Sequence, residues 1–227
     1  MKHILAASIA IIAAGILPAS RSLPPETRGF IYSDNKTGHG SETITRDGTL
    51  ISGDMVIGEN HAHYEGRVAA DGTVPRLEIR AWGSAAEATR PRVASVVIGR
   101  DGATLIEHLD GRVDTSRFAS RPGTMPIINP SVGLAELIVA RARSQHARSV
   151  KIPILYIDAL KLDTRSDKIG AAPQTLDLTF LPADTVRVGN GPSTDQMRLI
   201  VGADGRIRDV ASGSTATDKF SARPAAQ

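Results

Sequence analysis

Arg76-Leu77-Glu78-Ile79-Arg80-Ala81-Trp82 alternates apolar and charged residues without a break, and an Asp-Gly pair precedes it at 71–72. In a strand, successive side chains point to opposite faces, so Leu77, Ile79 and Ala81 share one face and the charges share the other. That is the pattern of a sheet with one buried and one wet face. Asp-Gly suits a two-residue hairpin turn, because both central residues need positive φ, which Gly adopts freely and Asp tolerates. The same pair recurs at 47–48, 101–102, 110–111 and 204–205, and Gly189-Asn190-Gly191 is a further candidate. Turns of this kind between stretches rich in Val, Ile, Leu and Thr describe an antiparallel meander.

Two other strands alternate in the same way. Leu176, Leu178 and Phe180 stand against Asp177 and Thr179, and Met197, Leu199 and Val201 against Arg198. Lys151 to Leu162 differs: Ile152 to Ile157 is apolar on both parities, which predicts a strand covered on both sides. One helix interrupts the sheet. Asn129-Pro130-Ser131 reads as its start, with Asn as cap and Pro at the first helical position. Val132, Ala135, Ile138, Val139 and Ala142 line one face, Leu134 and Leu137 widen it, and Arg141, Arg143 and Arg148 gather near the C-terminal end, where cations suit the helix dipole. So broad an apolar arc must lie on something apolar, and the concave face of a curled sheet is the natural candidate. The expected fold is mainly β: an antiparallel meander curled into a half-barrel, with one amphipathic helix on its concave face.

The N-terminus predicts the compartment. Lys2 and His3 precede an apolar run from Ile4 to Leu17, Pro18 breaks it, and Ser20 and Ser22 supply the small residues of a cleavage site. This reads as a secretory signal peptide, residues 1–22, too short and wrongly flanked for a membrane span. A single domain is expected over 23–211, and residues 212–227, small and polar, are expected to fray. The protein is expected to be exported, to a periplasm or beyond the cell, and soluble there.

Composition narrows the chemistry. The whole chain carries 27 basic and 24 acidic residues. Lys2 and Arg21 leave with the leader, so the mature chain is close to neutral and offers no basic footprint for nucleic acid. The absence of cysteine excludes thiolate nucleophiles, disulfides, Cys-type metal sites and a lipid-modified N-terminal cysteine. One Trp, three Tyr and four Phe are few for a carbohydrate or single-strand stacking platform.

Candidate chemistry is sparse. His61, His63 and Glu65 project from one strand face, and two imidazoles with a carboxylate are a zinc-ligand set, which would make a metal-dependent hydrolase. The same parity continues through Arg67 while Ala62, Tyr64 and Val68 take the other face, so these residues also read as an ordinary solvated surface. His39, His108 and His146 are isolated in sequence. Gly191-Pro192-Ser193-Thr194-Asp195 lacks a nucleophile elbow and reads as a turn. No phosphate-cradling loop or dinucleotide fingerprint occurs, and Asp158, Asp163 and Asp167 do not make a calcium loop. No catalytic residue and no cofactor is therefore assigned. Leu134, Ile138, Val139, Ile154, Tyr156 and Phe180 are the residues expected to line an apolar cavity, or else simply to fill it.

The element order is a leader, meander strands, one helix about two-thirds along and further strands to Arg206-Ile207-Arg208-Asp209-Val210. Its most motif-like pieces are Met125-Pro126-Ile127-Ile128-Asn129-Pro130-Ser131 and Ile152-Pro153-Ile154. This order, over most of residues 28–210, resembles the periplasmic half-barrel proteins, including the lipoprotein-localisation carriers and uncharacterised exported relatives. The resemblance implies an incomplete barrel round a helix whose concave side accepts acyl chains. It carries over no site residue, and the few aromatics and single short helix depart from the carriers. The leading expectation is a non-enzymatic exported protein binding a lipid or acyl group between sheet and helix. The alternative is an envelope protein–protein interaction module with a filled core, acting through an edge strand.

Overall fold

A computed structural model describes residues 25–34, 38–83, 87–109, 111–160, 169–190, 196–212 and 220–225. The signal-peptide segment, the 191–195 turn, Asp163 and Asp167 lie outside these residues. Eight strands come first: β1 (Glu26–Asp34), β2 (Gly38–Asp47), β3 (Leu50–Ile57), β4 (Asn60–Arg67), β5 (Arg76–Trp82), β6 (Arg92–Ile98), β7 (Ala103–Leu109) and β8 (Arg112–Phe118). The short β9 (Met125–Ile128) leads into the helix α1 (Val132–Arg143). Then come β10 (Ser149–Asp158), β11 (Gly170–Leu181), β12 (Thr185–Asn190), β13 (Gln196–Val201), β14 (Ile207–Ser212) and β15 (Phe220–Pro224).

All fifteen strands among the described residues join one sheet, in the order β8 down to β1, then β15 down to β9. Two meanders therefore run outward from a central seam where the first and last strands pair. Neighbours are antiparallel except β9 and β10, which α1 connects in parallel. β6 and β9 stand far apart in sheet order yet touch, so the sheet curls round the helix. This is a mainly-β half-barrel with one helix inside its curl. No helix among the described residues is long and apolar enough to cross a membrane.

The period-two pattern explains the inner wall. Leu77, Ile79 and Ala81 are fully buried, as are Ala62 and Tyr64 on β4 and Ile51 and Met55 on β3. On β10 both parities are buried where the apolar run is densest, at Ile154, Leu155 and Ile157. The helix is more enclosed than an amphipathic surface helix, since Val132, Leu134, Glu136, Ile138, Val139 and Ala142 are all buried.

The turn at 110–111 keeps the expected register, with Leu109 paired to Arg112 and Gly111 at positive φ, and others depart from it. Asp47 pairs with Leu50, so Gly48 and Thr49 are the central residues and Gly48 alone takes the positive φ. Ala69–Thr73 and Gly202–Arg206 form a second type: Gly72 and Gly205 occupy the positive-φ position, and Asp71 and Asp204 each accept the N–H two residues on. This is a three-residue hairpin closed by a glycine bulge, in which Asp folds the loop through its side chain. The helix start also shifts. Its cap is Ser131, which accepts the Leu134 N–H at 3.1 Å, whereas Asn129 and Pro130 lie before it.

The tail requires a correction. Residues 212–227 read as a frayed end, yet Ser212 closes β14 and Phe220–Pro224 is a strand between β1 and β14. Its small polar composition conceals the reason: without it two long strands would present unpaired backbone groups.

Candidate functional site

Two buried carboxylates fix the helix. Glu42 on β2 shares a face with Ile44 and is 0% exposed. It accepts from the hydroxyls of Tyr32, Tyr64 (2.8 Å) and Ser131 (2.7 Å), and from the Val132 N–H at 2.7 Å. The carboxylate thus sits on the N-terminus of α1, where the helix dipole favours negative charge. Burial nonetheless raises its pKa, with the four donors pulling the other way. Tyr64 fits because Gly53 and Gly133 have no side chains: a methyl at either would overlap its ring or hydroxyl.

Glu136, 1% exposed, does the same in mid-helix. Arg28 donates to it at 2.6 Å and Arg46 at 3.1 Å, Arg206 lies at 3.5 Å, and the Ile207 N–H donates at 2.8 Å. Beyond it, Arg141 donates to the Asp71 carbonyl and Arg143 to the Gly202 carbonyl at 3.3 Å. The basic end of α1 therefore holds the tips of both Ala-Asp-Gly hairpins, one from each half of the sheet. Both arginines lie in the last turn of the helix, where cations suit its dipole.

With those faces committed, the remaining one looks at β10–β13 across a cavity of about 250 Å³. Ala135, Ile138 and Val139 line it from the helix, Ile154 and Tyr156 from β10, Leu176 and Leu178 from β11, and Met197 and Leu199 from β13. The largest buried aromatics, Phe30, Tyr32 and Tyr64, lie on β1 and β4, away from this wall. Ala135 is the smallest of the three helix residues in the lining and leaves room there. The polar side chains of the lining belong to Asn129, Tyr156, Gln174 and Gln196. Burial and the nearby Asp158 carboxylate push the Tyr156 phenol up to about 12, while a hydrogen bond with Asn129 acts the other way.

Of the six residues expected to line a cavity, Ile138, Val139, Ile154 and Tyr156 do so. Leu134 is buried elsewhere on the helix, and Phe180 packs against the core without lining the space. The candidate metal residues are not brought together. His61 stacks on Trp82 with ring centres 5.3 Å apart, His63 meets Asp54 at 2.7 Å, and Glu65 is exposed opposite Glu78. Among the described residues no three His, Cys, Asp or Glu side chains could hold one metal ion. His39, His108 and His146 are exposed.

Sequence reasoning missed Glu42, Glu136 and the polar rim of the cavity. The first two left a signal, an acid on an apolar parity: Glu42 two before Ile44, and Glu136 inside the apolar arc of α1. Asn129, Gln174 and Gln196 left none, because uncharged polar residues in and beside strands are common surface.

A second cavity, of about 320 Å³, lies between the β2–β3 turn, residues 68–70 and Leu137, with Arg46 in its wall. That arginine is already engaged by Glu136.

No family model matches the chain, and no curated protein does. Among solved structures it is similar to a DUF1089 family protein from Pseudomonas aeruginosa, at 18% identity and a TM-score of 0.48, over 88% of this chain and 95% of that one. The likeness lends nothing to the resemblance to lipoprotein carriers.

Proposed function

We propose that the protein is an exported, non-enzymatic half-barrel that binds an apolar ligand, a lipid or acyl group, between α1 and strands β10–β13. The observation that carries this reading is the cavity of about 250 Å³ with an aliphatic wall and polar groups at its margin. An apolar cavity of about 150 Å³ already suffices to take up benzene. Burial of methylenes contributes about 0.8 kcal/mol each, so six of them give about 5 kcal/mol without any charged contact. The volume lies just under the usual range of about 300–1,000 Å³ for small-molecule sites, which suits one short chain and not a whole lipoprotein. The signal-peptide pattern read over residues 1–22 supports export, to a periplasm first and the outside second.

The test is an amide-resolved NMR titration of residues 23–227 with octan-1-ol. Shifts confined to Ile138, Ile154, Met197 and Leu199 are expected. Shifts scattered over the outer face, or none, would remove the reading.

A second reading is favoured by β8, which pairs with β7 alone among the described strands and leaves Val113 62% exposed. An edge of this kind templates strand addition by a partner in the envelope. Val113→Lys should then abolish partner capture while leaving the thermal midpoint unchanged.

A further inference from the structure

We infer that the ligand of this cavity carries a neutral, hydrogen-bonding head, such as an amide, ester or alcohol, on a short acyl tail, and not a carboxylate or a phosphate. The inference rests on the proposal above that the cavity is a ligand site, and it names the class of ligand.

The argument begins with what the lining offers. Its polar side chains are Asn129, Tyr156, Gln174 and Gln196, and among the described residues that line it none is charged. An anionic head brought against this wall would lose water without gaining a counter-charge, so it should bind more weakly than a neutral head on the same tail. Primary amides and a phenol both donate and accept, so they replace water around an amide or an alcohol group for group.

Five arginines that contact the helix or belong to it are committed elsewhere. Arg28, Arg46 and Arg206 converge on Glu136, and Arg141 and Arg143 are spent on the hairpin carbonyls of Asp71 and Gly202. The helix N-terminus, the usual seat for an anion, is filled from within by Glu42, which takes the Val132 N–H. The charge that acts on Tyr156 is the Asp158 carboxylate, which repels a second anion. Tyr156 also stays protonated, and therefore a donor, throughout the neutral range.

The test compares probes of one chain length by isothermal titration at pH 7: octanamide, octan-1-ol and octanoate. Octanamide and octan-1-ol should bind, and octanoate at least tenfold more weakly. In Gln174→Leu/Gln196→Leu, the preference for octanamide over octanoate should shrink several-fold while the thermal midpoint is held. Octanoate binding as tightly as octanamide, or an undiminished preference in the double variant, overturns the inference and leaves the cavity reading standing. Absence of binding by all three probes removes the cavity reading itself, and this inference with it.

Discussion

Arg28 of β1 donates to Glu136 of α1 at 2.6 Å, across 108 residues of chain. The same carboxylate takes the Ile207 N–H of β14 at 2.8 Å, so one buried side chain ties the helix to both sides of the central seam. That contact sets the rotation of α1 about its axis. With Glu136 toward β1 and β14, residues Ala135, Ile138 and Val139 are left to face β10–β13 and the cavity.

Glu136→Gln keeps the shape of that contact and removes its charge, leaving Arg28, Arg46 and Arg206 facing a neutral group. Breaking a buried ion pair from one side typically costs about 3–5 kcal/mol, and a loss of about 3 kcal/mol in urea unfolding is expected. A loss below about 1 kcal/mol, the worth of a surface pair, would contradict the anchoring role.

Gly133→Ala tests the packing of Tyr64. By helix propensity alone alanine should stabilise by about 1 kcal/mol. Because the added methyl overlaps the Tyr64 hydroxyl and crowds Ile44, a net loss of about 1–3 kcal/mol is expected instead. Tyr64→Phe in the same chain removes the overlapping atom. The double variant should therefore lose less than the sum of the two single losses, and strict additivity would show that Tyr64 is not the obstacle.

Glu42 makes a pH prediction. Burial raises its pKa in the fold above the ordinary value of 4.5, so the folded chain holds this proton more tightly than the unfolded one. Where the folded state binds more protons, stability falls as pH rises. The contribution of Glu42 is thus largest below 4.5 and declines as pH climbs through its raised value. Glu42→Gln cannot titrate. Its stability relative to the parent should improve between mildly acid and neutral pH in parallel thermal melts, and a difference independent of pH would refute the assignment.

Deletion of residues 213–227 tests the seam. The strand Phe220–Pro224 pairs with both β1 and β14, so its loss leaves two unpaired edges in the middle of the sheet. The shortened protein should melt well below the full chain and aggregate on standing. An unchanged thermal midpoint would restore the reading of this segment as a loose tail.

The fold was legible wherever a short-range rule governs it. Alternation in Arg76–Trp82 marked the buried face residue by residue, and Asp-Gly pairs marked hairpins, although the exact pairing at 47–50 depends on register that no single dipeptide fixes. The helix announced itself by its apolar arc, and so did part of the cavity wall at Ile138, Val139, Ile154 and Tyr156. What stayed hidden is long-range. Glu42 meets Ser131 across 89 residues, and nothing local to either says so. The strand at 220–224 carries too few apolar residues to declare itself, because its place is secured by backbone pairing on both sides. His61 and His63 illustrate the reverse failure: shared parity brought them to one face, but stacking on Trp82 and pairing with Asp54 use them separately.

The most direct measurement is native mass spectrometry of residues 23–227, purified without detergent from an exporting host, alongside Ala135→Leu. Leucine suits a helix and projects into the cavity, so this variant should fold and exclude a ligand. A discrete added mass on the parent that extracts as an acyl compound and is missing from Ala135→Leu is the predicted result. A bare polypeptide mass for both, with no uptake when fatty alcohols, fatty amides or phospholipids are offered, would contradict the account and turn the search to a protein partner.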